Sequence, residues 1–297
     1  MSLWIAIAVF AYFLFAISGI IDKFLLTHVD KHPIVFAFYS GIAGPLAFVL
    51  APFGLKALSM EDYFIAVVAG GCFTIGLYYL YCAIRQTSVS RILPIEGGMV
   101  PMFTLVLAYF LLGERLETVQ NLAFIFLVSG AVLISFKHDE YGWHSKALKD
   151  ATIAAILFAL AFVFTKYIFE QSNFVTGMVW TRVGSFYVAL AFLLSKSAKK
   201  HILQAPKQTK TKSIALYYGS RAFGTSAGFL QNYAISLGSV TIVNALQGVQ
   251  FIFLLVLTTA LSIYYPHVLK EKITKGIMLL KIVSIILIST GLVLLSV

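Results

Sequence analysis

The sequence predicts an all-α integral membrane protein, with ten transmembrane helices in two inverted five-helix repeats. Three observations predict it: a charge-poor apolar composition, ten apolar runs of spanning length, and ordered matches between the two halves of the chain.

Of 297 residues, 60% are apolar and 11% charged, and the mean hydropathy is +0.92. A soluble domain carries roughly 25% charged residues. A folded chain of this size cannot hide so apolar a composition from water, because much of any folded surface stays exposed. Lipid is the remaining solvent, and in lipid only helices or closed barrels satisfy the backbone. Barrel strands read as alternating segments of about ten residues. The runs here are continuous and close to the roughly 20 residues a spanning helix needs.

In order, the runs are 3–26, 33–53, 62–84, 92–112, 119–136, 150–169, 174–195, 214–235, 240–264 and 276–296. The first lacks a basic leader and a small-residue cleavage site, so it reads as a retained helix. Connections are short except 137–149 and 196–213. Cys72 and Cys82 both fall in the third run, where packing is the expected role.

The net charge of +10 is distributed unevenly. Alternate loops, counted from the one after the first run, hold 16 of the 22 cations; the opposite loops hold Lys56, Arg115 and Lys166; Arg182, Arg221 and Lys281 lie inside runs. The positive-inside rule places the 16-cation side in the cytoplasm and both termini outside, in a plasma or inner membrane. The lysine-rich stretch 196–212 then reads as a solvated cytoplasmic loop near anionic headgroups. It has no interleaved aromatics, which argues against nucleic acid as a partner.

Internal matches divide the chain into repeats at 1–137 and 150–297, joined by 138–149. Lys23 meets Lys166 at an offset of 143. Tyr81-Cys82-Ala83-Ile84 meets Asn232-Tyr233-Ala234-Ile235 at 151, where Glu96-Gly97 also meets Gln247-Gly248. Glu114 faces Glu271, and Ser129-Gly130-Ala131-Val132-Leu133 faces Thr290-Gly291-Leu292-Val293-Leu294 at 161. Five runs is an odd number, so the second copy enters the membrane from the opposite side. Inverted repeats of this kind place a substrate near the midplane in secondary transporters.

The segment 89–135, with Pro101 in a run, then Leu112-Gly113-Glu114-Arg115-Leu116, Gln120 and Gly130, resembles the EamA-type half of the drug/metabolite transporter superfamily. The second half answers with Gln247-Gly248-Val249-Gln250-Phe251, Lys270-Glu271-Lys272 and Gly291. The resemblance covers essentially the whole chain. It implies ten helices in two repeats and transport of small metabolites or drugs. It also implies cytoplasmic termini, opposite to the charge count.

Charge inside a span is costly and usually faces a cavity or marks a pathway. Glu96, Arg182, Arg221 and Lys281 are therefore candidate substrate-binding residues, with the amides Asn244 and Gln247 of the ninth run. Glu96 lies among Pro94, Gly97, Gly98 and Pro101, a pattern that predicts a kinked span acting as a hinge. Glu114 and Glu271 are read as gate or hinge elements at loop starts. A structural ion pair of Glu96 with Arg221 or Lys281 is the competing reading. Three cations against one acid favour an anionic or zwitterionic small molecule. Snorkelling to the interface is the alternative for each cation. Gln231 and Asn232 add amides on the eighth run, and Gly224 with Gly228 reads as close helix packing.

No enzyme signature, cofactor motif or metal set is visible. The six histidines, His28, His32, His138, His144, His201 and His267, are assigned to loops. No Gly-rich phosphate loop occurs, so the driving force is expected from an ion gradient or exchange, with protons as coupling ion through Glu96. The expected function is secondary transport of small polar metabolites, as exporter or exchanger, by a monomer or homodimer in contact with lipid. A flippase subunit for a lipid-linked sugar and a non-transporting scaffold are the alternatives.

Overall fold

The computed structural model describes residues 2–28, 32–86, 89–133, 145–204, 211–264 and 275–295. Among them every regular element is helical. The first half comprises α1 (Leu3–His28), α2 (Pro33–Ile42), a 3-10 helix (Gly44–Phe53), α3 (Met60–Gln86), α4 (Val89–Leu111) and α5 (Thr118–Leu133). The second comprises α6 (Ser145–Gln171), α7 (Phe174–Phe192), α8 (Lys196–Gln204), α9 (Thr211–Leu237), α10 (Val240–Ala245), α11 (Gln247–Tyr264) and α12 (Lys275–Leu294).

Among the described residues, six stretches are long and apolar enough to cross a membrane: Leu3–Ile21, Pro33–Phe53, Met60–Gln86, Ser145–Gln171, Phe174–Phe192 and Val240–Ala260. Ile95–Leu111, Thr118–Leu133 and Leu280–Leu294 are shorter apolar helices. Large apolar side chains such as Phe64 and Phe110 stand exposed. Lipid is the solvent that accepts them.

Two expected spans are not uniform helices. The run 33–53 changes from α to 3-10 winding after Ile42. Pro45 has no N–H to bond back to Gly41, so the α-ladder lapses there, and Leu46 N–H bonds to Ala43 O at 3.0 Å instead. Gly44 allows the bend to touch its neighbour, since a Cβ there would lie 2.3 Å from the Arg182 carbonyl oxygen. The run 240–264 divides at Leu246, where Val249 N–H bonds to Leu246 O at 2.9 Å in a tightened turn. Conversely, helix α4 passes through Pro94 and Pro101 without interruption.

Two further expectations are corrected. Residues 196–204, read as loop, form helix α8, because Ala198 and Ile202 at i, i+4 bury one face. His201 therefore lies in a helix, and His28 in the last turn of α1. Glu271, Lys270 and Lys272 lie outside the described residues.

Helix pairing is tight where small residues meet. Helix α3 runs along α6 and α7, and α1 along α9 and α11. A Cβ on Gly76 of α3 would lie 3.2 Å from the Phe158 ring of α6, and one on Gly228 of α9 would lie 3.9 Å from the Phe15 ring of α1. Gly224 faces Ser18, whose hydroxyl is 3.1 Å from that of Ser220. The GxxxG spacing is thus packing, as expected.

Helices α5 and α12 meet reciprocally. A Cβ on Gly130 would lie 2.6 Å from Ile288 and 3.0 Å from Ser284 O; one on Gly291 would lie 2.8 Å from Leu127 and 3.0 Å from Ala123 O. Adding 161 to Ala123, Leu127 and Gly130 gives Ser284, Ile288 and Gly291. The contact is therefore self-complementary in the register that the sequence matches set, and the two helices run antiparallel through it.

Candidate functional site

The sequence-derived candidates separate into two places. Glu96, Gln247 and Asn244 gather where α4 crosses the α10–α11 break; Arg182 lies elsewhere, between α3, α6, α7 and α9.

At the crossing, Gly97 lets the helices close: a Cβ there would lie 2.7 Å from the Phe251 ring and 3.6 Å from Gln247 Cδ. Gly98 does the same on the α5 side, 2.6 Å from Val132. Repeat partners 96–97 and 247–248 thus sit together. Beside them runs a buried polar chain. Tyr12 donates its hydroxyl proton to Val243 O at 2.8 Å and accepts from Gln231 Nε2 at 3.1 Å. Gln231 also donates to Asn244 Oδ1 at 3.3 Å, and Asn244 Nδ2 donates to Thr104 Oγ1 at 3.3 Å. The chain joins α1, α9, α10 and α4. Buried polar groups in lipid need such partners, and Asn244 and Gln231 find them in this chain of bonds.

Glu96 is 8% exposed. Among the described residues its carboxylate takes no ion pair and no hydrogen bond. The ion pair with Arg221 or Lys281 that the sequence leaves open is therefore not made. Arg221 and Lys281 are each partly buried, and neither lines the pocket below.

Arg182 opens on a small pocket lined by Gly70, Phe73, Phe162, Thr165, Thr181, Ser185 and Asn232, with Ala69 and Ala161. Helix geometry explains the grouping. Thr181 and Ser185 share one face of α7 at i and i+4, and Arg182 and Ser185 are neighbours at i and i+3. They meet α3 at Gly70, where a Cβ would lie 1.8 Å from Thr181 O, so the backbones touch. The Arg182 guanidinium lies 5.2 Å over the Phe73 ring, within the range of cation–π attraction.

The hydroxyls are anchored on backbone oxygens: Thr165 on Ala161 O at 2.7 Å, Thr181 on Gly177 O at 2.7 Å, and Ser185 on Gly70 O at 3.0 Å. Asn232 Nδ2 donates to Gly228 O at 2.8 Å. With those protons engaged, the oxygens offer lone pairs to the pocket. Among the described residues no carboxylate lines it and none pairs with Arg182. Arg182 is therefore a mid-helix cation at a pocket of mixed lining, with no counter-ion among the described residues. Of these residues the sequence singles out Arg182 and, more weakly, Asn232. The i, i+4 hydroxyls Thr181 and Ser185 around Arg182 are the signal that sequence reasoning missed.

Aromatic rings crowd the ends of the same helices. Phe174 lies 5.4 Å from Phe169, 5.2 Å from Phe229 and 5.2 Å from Tyr233. Phe169 is one turn beyond Thr165, and Tyr233 adjoins Asn232. The cluster lies at the 171–173 end of the helices that line the pocket.

Toward that same face, α4 ends at Gly113, with φ 67° and Glu114 N–H bonded to Ala108 O at 3.1 Å. Glycine takes this left-handed helix ending at little cost. The turn aims Glu114 at α10, where its carboxylate accepts a hydrogen bond from Ser239. Ser239 in turn caps α10 by accepting from Ile242 N–H at 3.0 Å. Glu114 thus ties the end of one half to a helix start in the other.

No set of three or more metal-binding side chains occurs among the described residues. No curated protein matches the chain. A crystal structure of a protein, one of 28 matching solved chains, superposes with a TM-score of 0.71 at 15% identity, covering 99% of this chain and 98% of its own. That likeness is one of fold. Residues 2–136 match the model of the EamA-like transporter family. The first half of the chain is thus similar to an EamA-like transporter unit, and the helices are those of a membrane protein.

Proposed function

We propose that the chain is a secondary transporter of small anionic or zwitterionic metabolites, working by alternating access. The observation that carries it is Arg182, a mid-helix cation with no carboxylate partner among the described residues, at a pocket between four helices. An uncompensated charge in a span is expensive. A substrate carboxylate or phosphate would offset that cost, which makes the anion the part of the substrate the pocket selects.

Ten spans in two inverted repeats complete the reading. The register of the α5–α12 contact supports it, since a two-fold axis in the membrane plane requires such reciprocity. The loop charges support termini on the cation-poor side. Glu96, without an ion pair and beside the polar chain, is the candidate proton carrier.

The test is flux in proteoliposomes against a pooled metabolite library, comparing wild type with Arg182→Ala and Arg182→Lys. Movement of a small anion or zwitterion is expected, abolished in Arg182→Ala and partly kept in Arg182→Lys. Equal flux of every moved anion in all three proteins would overturn the role of Arg182. Movement of lipid-linked sugars alone would instead make the chain a flippase.

A further inference from the structure

Helix α8 has two faces with different tasks. Ala198 and Ile202 are buried against Ile34 and Phe38 of α2 and against Ala189 and Phe192 of α7. His201 adds a ring stack on His32 at 4.3 Å. The helix is thus folded onto the bundle. At about 100° per residue, Lys196, Lys199, Lys200 and Leu203 share the opposite stripe, and all four are exposed.

Depth places that stripe. Helix α7 has 19 residues, about 28 Å at roughly 1.5 Å each, close to the hydrocarbon thickness. Only three residues separate its end from α8, and α8 packs on the first turns of α2. The stripe therefore lies at the level where hydrocarbon gives way to headgroups. Leu203 is 59% exposed among the lysines, and Leu194, just before the helix, is 87% exposed. A face made only for water gains nothing from a leucine there. A face in the interface uses the lysines for phosphates and the leucine for the acyl boundary. Helix α8 contains no acidic residue. Asp150, the acid on this side among residues with described side chains, is engaged by Gln86 Nε2 at 2.6 Å.

We propose that the outer stripe of α8 is a docking surface for anionic phospholipid headgroups, with Lys196, Lys199 and Lys200 binding the phosphates and Leu203 anchoring the helix in the interface. The folded helix holds the three ammonium groups at fixed spacing, so little ordering is needed on binding. Because α8 bridges α2 and α7, and α7 carries Arg182, bound lipid steadies the helix that bears the pocket's cation. Lipid binding of this kind is independent of which substrate is carried.

The test is native mass spectrometry of the purified chain equilibrated with equal amounts of phosphatidylglycerol and phosphatidylcholine. Wild type is expected to retain phosphatidylglycerol in preference. A Lys196→Gln/Lys199→Gln/Lys200→Gln variant is expected to lose that preference, by about fivefold per lysine, and the corresponding triple Lys→Arg variant to keep it. Lys56→Gln, on the opposite face, is expected to leave it intact. Elution volume and Tm establish that each variant is folded. Undiminished preference in the folded triple glutamine variant, or equal loss in Lys56→Gln, overturns the proposal.

Discussion

The contact between α3 and α7 builds the pocket, and Gly70→Ala tests it. A Cβ on Gly70 would lie 1.8 Å from Thr181 O and 2.6 Å from Ser185 N, where ordinary contact begins at 3.4 Å. Against Thr181 O the shortfall, 3.4 less 1.8, is 1.6 Å. The obstacle is helix backbone, which cannot rotate away as a side chain can. The helices must part, or one must slide. Overpacking of this kind costs about 1–3 kcal/mol or more, several degrees of Tm in a chain of this length. Two further losses follow. The Ser185 bond to Gly70 O at 3.0 Å lengthens, and Arg182 moves away from Phe73. The assay is thermal melting by fluorescence-detected size exclusion, read beside Gly219→Ala, which has nothing within 4 Å. Gly219→Ala is expected to melt with wild type, and Gly70→Ala several degrees lower. Coincident melting of all three would refute the α3–α7 packing and the pocket with it.

Other outcomes follow from the same geometry. Ser239→Ala removes both the α10 cap and the Glu114 partner, and is expected to destabilise by about 1 kcal/mol; Glu114→Gln, which keeps an acceptor, is expected to cost less in the same melt. Phe174→Ala opens the ring cluster, so a thiol reagent applied from the side of residues 171–173 should react with a Thr165→Cys thiol several-fold faster than when Phe174 is kept. Glu96→Gln is isosteric and breaks no ion pair, so Tm should hold while acceleration of flux by a proton gradient disappears; a large fall in Tm would reveal a structural role instead.

Helix content is legible in the sequence because the pattern that lipid demands is coarse: long apolar runs survive errors of a few residues at each end. The bend after Ile42 and the division at Leu246 are less so. The first depends on Pro45, which the sequence displays, and on the close approach of Gly44 to Arg182, which it does not. Helix α8 reads as loop because three lysines outweigh the i, i+4 pair Ala198 and Ile202, whose burial depends on α2. At the site, composition identifies Arg182 as costly but does not say which partner is missing. The offset of 151 aligns Glu96 with Gln247, and the two positions meet at the α4–α11 crossing. Arg221 and Lys281 look equivalent to Arg182 in sequence, yet neither lines the pocket. Helix phase relative to four neighbours decides that, and one chain's periodicity does not contain it. The aromatic cluster around Phe174 joins three helices and leaves no local signature.

Alternating access is tested most directly by reaching the pocket from each side of the membrane. Cys72 and Cys82 are the two cysteines of the sequence, so a Cys72→Ala/Cys82→Ala chain carrying Thr165→Cys presents one thiol, at a pocket position that is 7% exposed. In sealed proteoliposomes of known orientation, a membrane-impermeant maleimide is added to one face or the other. Labelling of the introduced thiol is expected from both faces, each slowed when a transported anion is present. Labelling from neither face, with the thiol reactive after solubilisation and unfolding, would contradict alternating access and leave a membrane scaffold.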